Sequence, residues 1–263
     1  CARPISHGTG TFDRETIIDS TGNAWELERC TFTFGRVEIG ADVEVFLQGD
    51  KPLIIRTVAG GDFTTASDFI LDGGDASRID GYGGKSVLGP WNGRSSKTLN
   101  GYGPGGAKTV DGAGKGAAYS NADGLLLPGS SGSSGSFLQG SGAGGGALSI
   151  QADGDIHILS GALLSASGGD GRENQNSLFS GGGGSAGIIQ LIARNIYNQG
   201  MVRCLGGNGG ASDGMILFAT SGDLETGVLE VGNGQVMRIL PPSIEMEGRS
   251  EEHTSELQSP DHL

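Results

Sequence analysis

An all-β fold is what this sequence predicts: a right-handed parallel β-helix, or solenoid, carrying glycine-rich insertions. An antiparallel β-sandwich is the alternative. Two observations carry the prediction. The first is a short unit written three times in Ala147–Gly234, with a looser copy at Leu53–Asp75. The second is the period inside each copy. Leu148 and Ile150, Ile189 and Leu191, and Ile216 and Phe218 each stand two apart, the spacing of a strand with one buried face. One copy cannot bury its own apolar face, whereas stacked copies share a continuous core. Three short strands per copy of roughly 20–25 residues suit one coil of a solenoid.

The copies run as follows. Ala147–Ile158 leads past Gly161, Leu163 and Leu164 to Gly168-Gly-Asp-Gly171. Ile188–Ala193 leads through Asn195-Ile196 and Met201–Leu205 to Gly206-Gly-Asn-Gly209. Met215–Thr220 leads through Asp223-Leu224 and Val228–Val231 to Gly232-Asn-Gly234. Each ends where Gly and Asp or Asn tolerate positive φ, so these glycine pairs read as coil corners.

Composition sets further bounds. The 263 residues suffice for one or two domains with a sizeable core. The 52 glycines are about three times ordinary usage. A net charge of −13, with no basic patch, argues against a nucleic-acid partner. No apolar run reaches the length of a membrane span. Cys1, Cys30 and Cys204 lack metal-ligand spacing, and a Cys1–Cys30 disulfide is left open.

In chain order, residues 1–78 form an N-terminal β segment and the first coil. The chain starts at Cys1 without an initiator Met or a signal peptide. That reads as a truncated reading frame, the sharper alternative being a mature lipoprotein whose Cys1 carries the lipid. Strands are expected at Thr16–Asp19, Thr31–Phe34, Val37–Ile39, Val43–Leu47 and Leu53–Thr57, separated by glycines. Trp25 and Trp91 read as core or cap residues ahead of sugar-stacking platforms.

Residues 79–146 are a glycine-rich, low-complexity excursion. They contain 21 glycines, and Gly-x-y register is absent, so collagen is excluded. Ser130–Ser136 reads as flexible linker. The segment is expected to pack poorly, a stack of extended polyglycine-type helices being the ordered alternative. Arg172–Gly187 is a shorter excursion of the same kind.

Residues 147–240 form the repeat solenoid, closing with a strand at Val236–Leu240 before Pro241-Pro242. Residues 241–263 are an unstructured tail. Within it, Arg249–Ser259 is what a common short-read sequencing adapter encodes, so 249–263 is set aside from fold and function as an artefact. The chain accordingly reads as a fragment from a short-read assembly, truncated at both ends.

Chemistry is sparse. Outside the tail only His7 and His157 remain, and His157, between Ile156 and Ile158, faces away from the core. A Gly-x-Ser-x-Gly elbow before a helix is missing. Gly142–Ala147 and Gly181–Gly184 lack the Gly-Lys-Ser/Thr ending of a phosphate loop. Calcium repeats read Gly-Gly-x-Gly-x-Asp. Here Glu173 stands at the ligand position of one copy and Ala211 at that of another. The calcium candidates are therefore Asp75, Asp170 and Glu173, with corner structure the simpler reading. For glycosidase or lyase chemistry the candidates are Asp72 with Asp75, Asp153 with Asp155, and Asp170 with Arg172. Each falls at an expected turn, where Asp serves local hydrogen bonding. Catalytic, cofactor-binding and metal residues are thus assigned to none.

The order of features resembles uncharacterised glycine-rich β-repeat proteins, predicted from environmental bacteria as secreted or surface-attached. The likeness runs over about 30–240. It rests on the entry segment Phe32–Val45, the strand Lys51–Ile55, and units such as Gly145–Ile150 and Gly184–Leu191 that close near Gly-Gly-Asp/Asn-Gly. It implies an extracellular or cell-surface repeat protein and brings no catalytic residues. The expected function is non-enzymatic, structural or adhesive, with surface polysaccharide or neighbouring repeats as partners. A carbohydrate-active β-helix enzyme and a calcium-stabilised surface module are the alternatives.

Overall fold

A computed structural model gives the fold and describes residues 9–18, 24–47, 51–76, 126–133, 141–171, 181–208 and 211–239. The described chain is all-β and has sixteen strands. β1 (Thr9–Ile18) and β2 (Ala24–Phe34) form an antiparallel pair, Thr9 opposite Thr33 and Ile18 opposite Ala24. Every other pair among the described strands is parallel. That is not the pairing of an antiparallel sandwich.

The remaining strands repeat a path through three sheets. β3 (Val37–Ile39) follows β2. β4 (Leu53–Thr57), β5 (Phe63–Thr65) and β6 (Phe69–Ile70) make the next round. Then come β7 (Ala147–Gln151), β8 (Ile156–Ile158) and β9 (Leu163–Ser165). β10 (Ile188–Ala193), β11 (Ile196–Asn198) and β12 (Met201–Arg203) follow. β13 (Met215–Thr220), β14 (Leu224–Glu225), β15 (Val228–Glu230) and β16 (Gln235–Ile239) complete the series. First strands build a seven-stranded sheet in the order β1-β2-β4-β7-β10-β13-β16. Second strands build the five-stranded sheet β14-β11-β8-β5-β3, and third strands the four-stranded sheet β15-β12-β9-β6.

The two-residue apolar period becomes rows of stacked side chains. Leu53, Leu148, Ile189 and Ile216 are in register, as are Ile55, Ile150, Leu191 and Phe218. Facing them are Val37, Phe63, Ile156 and Ile196 from the second sheet and Phe69, Leu164 and Val202 from the third. All belong to one buried core. Each such side chain contributes about 1.5–3 kcal/mol.

Val43–Leu47, expected as a strand, joins no sheet. Val45 and Leu47 pack partly buried against the core, while Val43 is exposed. The segment is held instead by the Ser67 hydroxyl, which bonds Gly40 O and Val43 O at 2.6 Å each. A strand's ladder is replaced there by one side chain.

The glycine-rich segments differ most from expectation. Residues 126–133, 141–146 and 181–187 are extended and buried. Ser130, Ser131 and Ser133, read as linker, are fully buried. Chains pair here with a period of three. Gly129 and Gly132 donate to Gly145 O and Gly142 O; Gly142 and Gly145 donate to Gly182 O and Ser185 O; Gly184 and Gly187 donate to Gly169 O and Ala166 O. Three residues per turn is the repeat of a polyproline-II-type chain, not of a strand. These stretches are buried and hydrogen-bonded to one another, while 77–125, 134–140 and 172–180 lie outside the described residues.

The same packing corrects the role of the Gly-Gly-Asp/Asn motifs. Gly73-Gly-Asp75, Gly168-Gly-Asp170 and Gly206-Gly-Asn208 lie outside those segments but pack against neighbouring backbone, and their glycines do not have positive φ. What requires glycine is close approach. A Cβ at Gly73, Gly168 or Gly206 would run into the backbone of Ala143, Gly184 or Ala211, and one at Gly169 or Gly207 into Gly74 or Gly169. The last copy is different: Gly232 does turn, at φ 49°.

Candidate functional site

The polar groups with the strongest geometric pattern form ladders between rounds. Asp62, Asp155, Asn195 and Asp223 each precede the first residue of a second-sheet strand, and those strands are in register. Asp62 Oδ1 accepts the Asp155 N–H at 2.8 Å. Asp155 Oδ1 accepts Asn195 Nδ2 at 3.0 Å and Arg194 Nε at 3.2 Å. Asn195 Oδ1 accepts the Asp223 N–H at 2.9 Å. A short side chain with an oxygen acceptor can reach one round onward and satisfy a corner N–H that no strand pairs.

Two of the calcium candidates, Asp75 and Asp170, belong to a second ladder. Asp75 Oδ1 accepts the Asp170 N–H at 2.7 Å. Asp170 in turn accepts the Asn208 N–H at 2.6 Å and Asn208 Nδ2 at 2.9 Å. Glu173 lies outside the described residues. Among the described residues, three or more His, Cys, Asp or Glu never gather where they could hold a metal ion.

The carboxylates considered in pairs for acid–base work each accept hydrogen bonds from different donors. Asp72 Oδ1 accepts the Ser165 hydroxyl at 2.5 Å and the Ser167 N–H at 2.7 Å, with Arg203 3.8 Å from its other oxygen. Its sequence neighbour Asp75 serves Asp170. Asp153 accepts the Gly60 N–H at 2.6 Å, while Asp155 serves Asn195 and Arg194. Arg172 lies outside the described residues. His157 stacks on Tyr197, ring centres 5.1 Å apart and planes 15° from parallel, in an outer row of the five-stranded sheet. His7, Trp91 and Cys1 lie outside the described residues, and Trp25 lies in β2.

Sequence reasoning missed Asp62, Asn195, Asp213 and Asp223 as ladder residues. Asp213 accepts Gly206 N–H and Asn233 N–H at 2.7 Å each. For Asp62, Asn195 and Asp223 the available signal was position: an Asp or Asn directly before the first inward apolar residue of β5, β11 and β14.

Cys30 and Cys204 carry free thiols. Burial raises the Cys30 thiol, opposed by the Lys51 charge. Cys204 is sealed in the core. Burial pushes its thiol far above the ordinary range and the Asp72 charge adds to this, outweighing backbone hydrogen bonds at Ile189 and Ala166.

Two concavities lie near the first rounds of the stack. An apolar cavity of about 340 Å³ lies where the core meets its first round, between Phe32, Phe34, Val45, Leu47 and Phe69. An open cleft of about 650 Å³ has Asp42, Glu44, Asp68, Ser67 and Ser160 in its walls. Compared with known proteins, the chain matches no family model, no curated protein and no solved structure.

Proposed function

We propose that this chain is a non-enzymatic structural or adhesive piece of a larger secreted or cell-surface glycine-rich repeat protein, its three sheets winding as a right-handed parallel β-helix. Right-handedness follows from the strong preference of crossovers between parallel strands. The observation that carries the reading is how the carboxylates are used. Asp62, Asp72, Asp75, Asp153, Asp155, Asp170 and Asp213 each accept hydrogen bonds from a neighbouring segment. Carboxylates of the kind that carry acid–base or metal chemistry here hold one round to the next. The small-residue segments are buried and hydrogen-bonded beside the strands, which suits a load-bearing or display role.

An extracellular or surface position is supported by the acidic balance and by the resemblance to surface repeat proteins. Among the described residues no helix is long and apolar enough to cross a membrane. Surface polysaccharide and neighbouring repeats are the partners that fit an acidic, polar-edged scaffold. One observation favours a second reading, recognition or cleavage of a glycan: the cleft that gathers Asp42, Glu44 and Asp68. Polysaccharide binding lost on Asp42→Asn or Glu44→Gln would select it.

The test of the main reading is thermal unfolding of the full chain followed by circular dichroism, first with EDTA and then with calcium. A cooperative β-type transition with one midpoint in both conditions is expected. A large rise in midpoint with calcium would instead make the Asp75–Asp170 ladder part of a metal site.

A further inference from the structure

The outer face of the five-stranded sheet carries one row of side chains that the core does not use. Register and alternation define it. Glu38, Thr64, His157, Tyr197 and Glu225 stand opposite one another on β3, β5, β8, β11 and β14. Their neighbours Val37, Phe63, Ile156 and Ile196 are buried in the core, so the row faces outward. Successive members are about 4.8 Å apart. Thr64, His157 and Tyr197 belong to the three inner strands of the sheet, away from either end of the stack.

The row is uneven in height. The His157 and Tyr197 rings lie face to face, centres 5.1 Å apart and planes within 15° of parallel. Rings so placed stand across the row, so the second face of His157 is turned toward Thr64. A threonine is too short to cover a ring face. The next long side chain is Glu38, two steps or about 10 Å from His157 along the row. Arg36 Nη2 donates to Glu38 Oε2 at 2.7 Å, and both side chains are exposed, at 63% and 66%. A gap one side chain wide is thus bounded by an aromatic face, a threonine floor and an ion pair.

We propose that this gap is a subsite for one pyranose ring of a neutral polysaccharide; the inference rests on the adhesive reading above and deepens it. A sugar ring has an apolar C–H face, which packs on an aromatic face, and rim hydroxyls, which pair with carboxylate and guanidinium. The gap supplies both on facing walls, His157 on one and Glu38 with Arg36 on the other. Tyr197 backs the imidazole and fixes its plane. The surrounding charge selects against an anionic chain. Asp62, Asp155 and Glu225 join Glu38 on this face, against Arg36 and Arg194.

The test is affinity electrophoresis of the full chain in gels containing dextran, galactomannan, mixed-linkage β-glucan or alginate. At least one of the three neutral polymers should retard the chain, and the anionic alginate should not. His157→Ala removes the stacking face and should weaken binding about tenfold. Thr64→Tyr keeps His157 but fills the gap, and should weaken binding as much without changing the circular dichroism spectrum. Glu225→Gln, beyond Tyr197, should leave binding unchanged. Binding that survives both His157→Ala and Thr64→Tyr, a stronger response to alginate, or no retardation by any neutral polymer would overturn the proposal. Binding lost on Asp42→Asn but not on the row variants would overturn it too, and place the glycan in the cleft. The structural reading is judged separately, by its melt with EDTA and calcium. Should His157→Ala not fold, Thr64→Tyr decides.

Discussion

Cys204 shows how a single buried group couples this core to pH. Its thiol sits among Leu71, Ala166 and Val202 with its pKa raised, chiefly by burial. In the unfolded chain the thiol ionises near 9.0. The folded state holds the proton well beyond that, so the unfolded chain binds fewer protons than the native one above 9.0. Stability is therefore fully present below that pH and falls as pH rises, by up to about 1.4 kcal/mol per pH unit. Urea unfolding above neutrality should show this slope in the native chain and lose its Cys204 share in Cys204→Ala, a variant weaker at neutral pH but flatter in alkali. Equal slopes would place the alkaline loss elsewhere. The sequence made individual residues legible only in part. His157 facing outward was readable from its two isoleucine neighbours, because strand alternation is local. The partners of Asp62 and Asp75 were not, because each lies 93 or 95 residues away and only the stacking register joins them.

At the scale of elements, strands and glycine segments were legible to different degrees for a physical reason. Ala147–Gln151, Ile188–Ala193 and Met215–Thr220 announce themselves by apolar residues two apart, whose burial drives their pairing. Segments 141–146 and 181–187 carry almost no apolar side chain, and their order comes from close backbone approach, which leaves only the absence of side chains as a trace. The Gly-Gly-Asp motif was ambiguous on the same account, since glycine serves both positive φ and close approach. The two uses are separable by substitution. A Cβ at Gly184 would overlap the Ala143 carbonyl, whereas one at Gly40 meets open space. Gly184→Ala is expected to cost about 3 kcal/mol or more, the upper range of overpacking. Gly40→Ala should stay within about 0.5 kcal/mol in the same chemical denaturation series. Similar losses at both sites would mean that the 181–187 segment is not tightly packed.

For the whole molecule, the three-sheet path was legible because four copies of one unit repeat it, and a repeat multiplies a weak local signal. The side lobe made by the glycine-rich segments 126–133, 141–146 and 181–187 was not, since these segments carry no apolar period. Core and lobe nevertheless form one hydrogen-bonded body. Gly73 donates to Ser167 O, Gly168 to Leu205 O and Gly187 to Ala166 O, directly beside β9, β10 and β12. A scaffold of this kind requires that the lobe open only when the core does. Native-state amide hydrogen exchange tests that most directly. The Gly142, Gly145, Gly169, Gly184 and Gly187 amides, all donors within the lobe, should be protected to the same degree as those of Leu148, Ile189 and Ile216 in the core strands. Exchange of those glycine amides at unfolded-chain rates, with the strands still protected, would contradict the account and leave a solenoid with loose insertions.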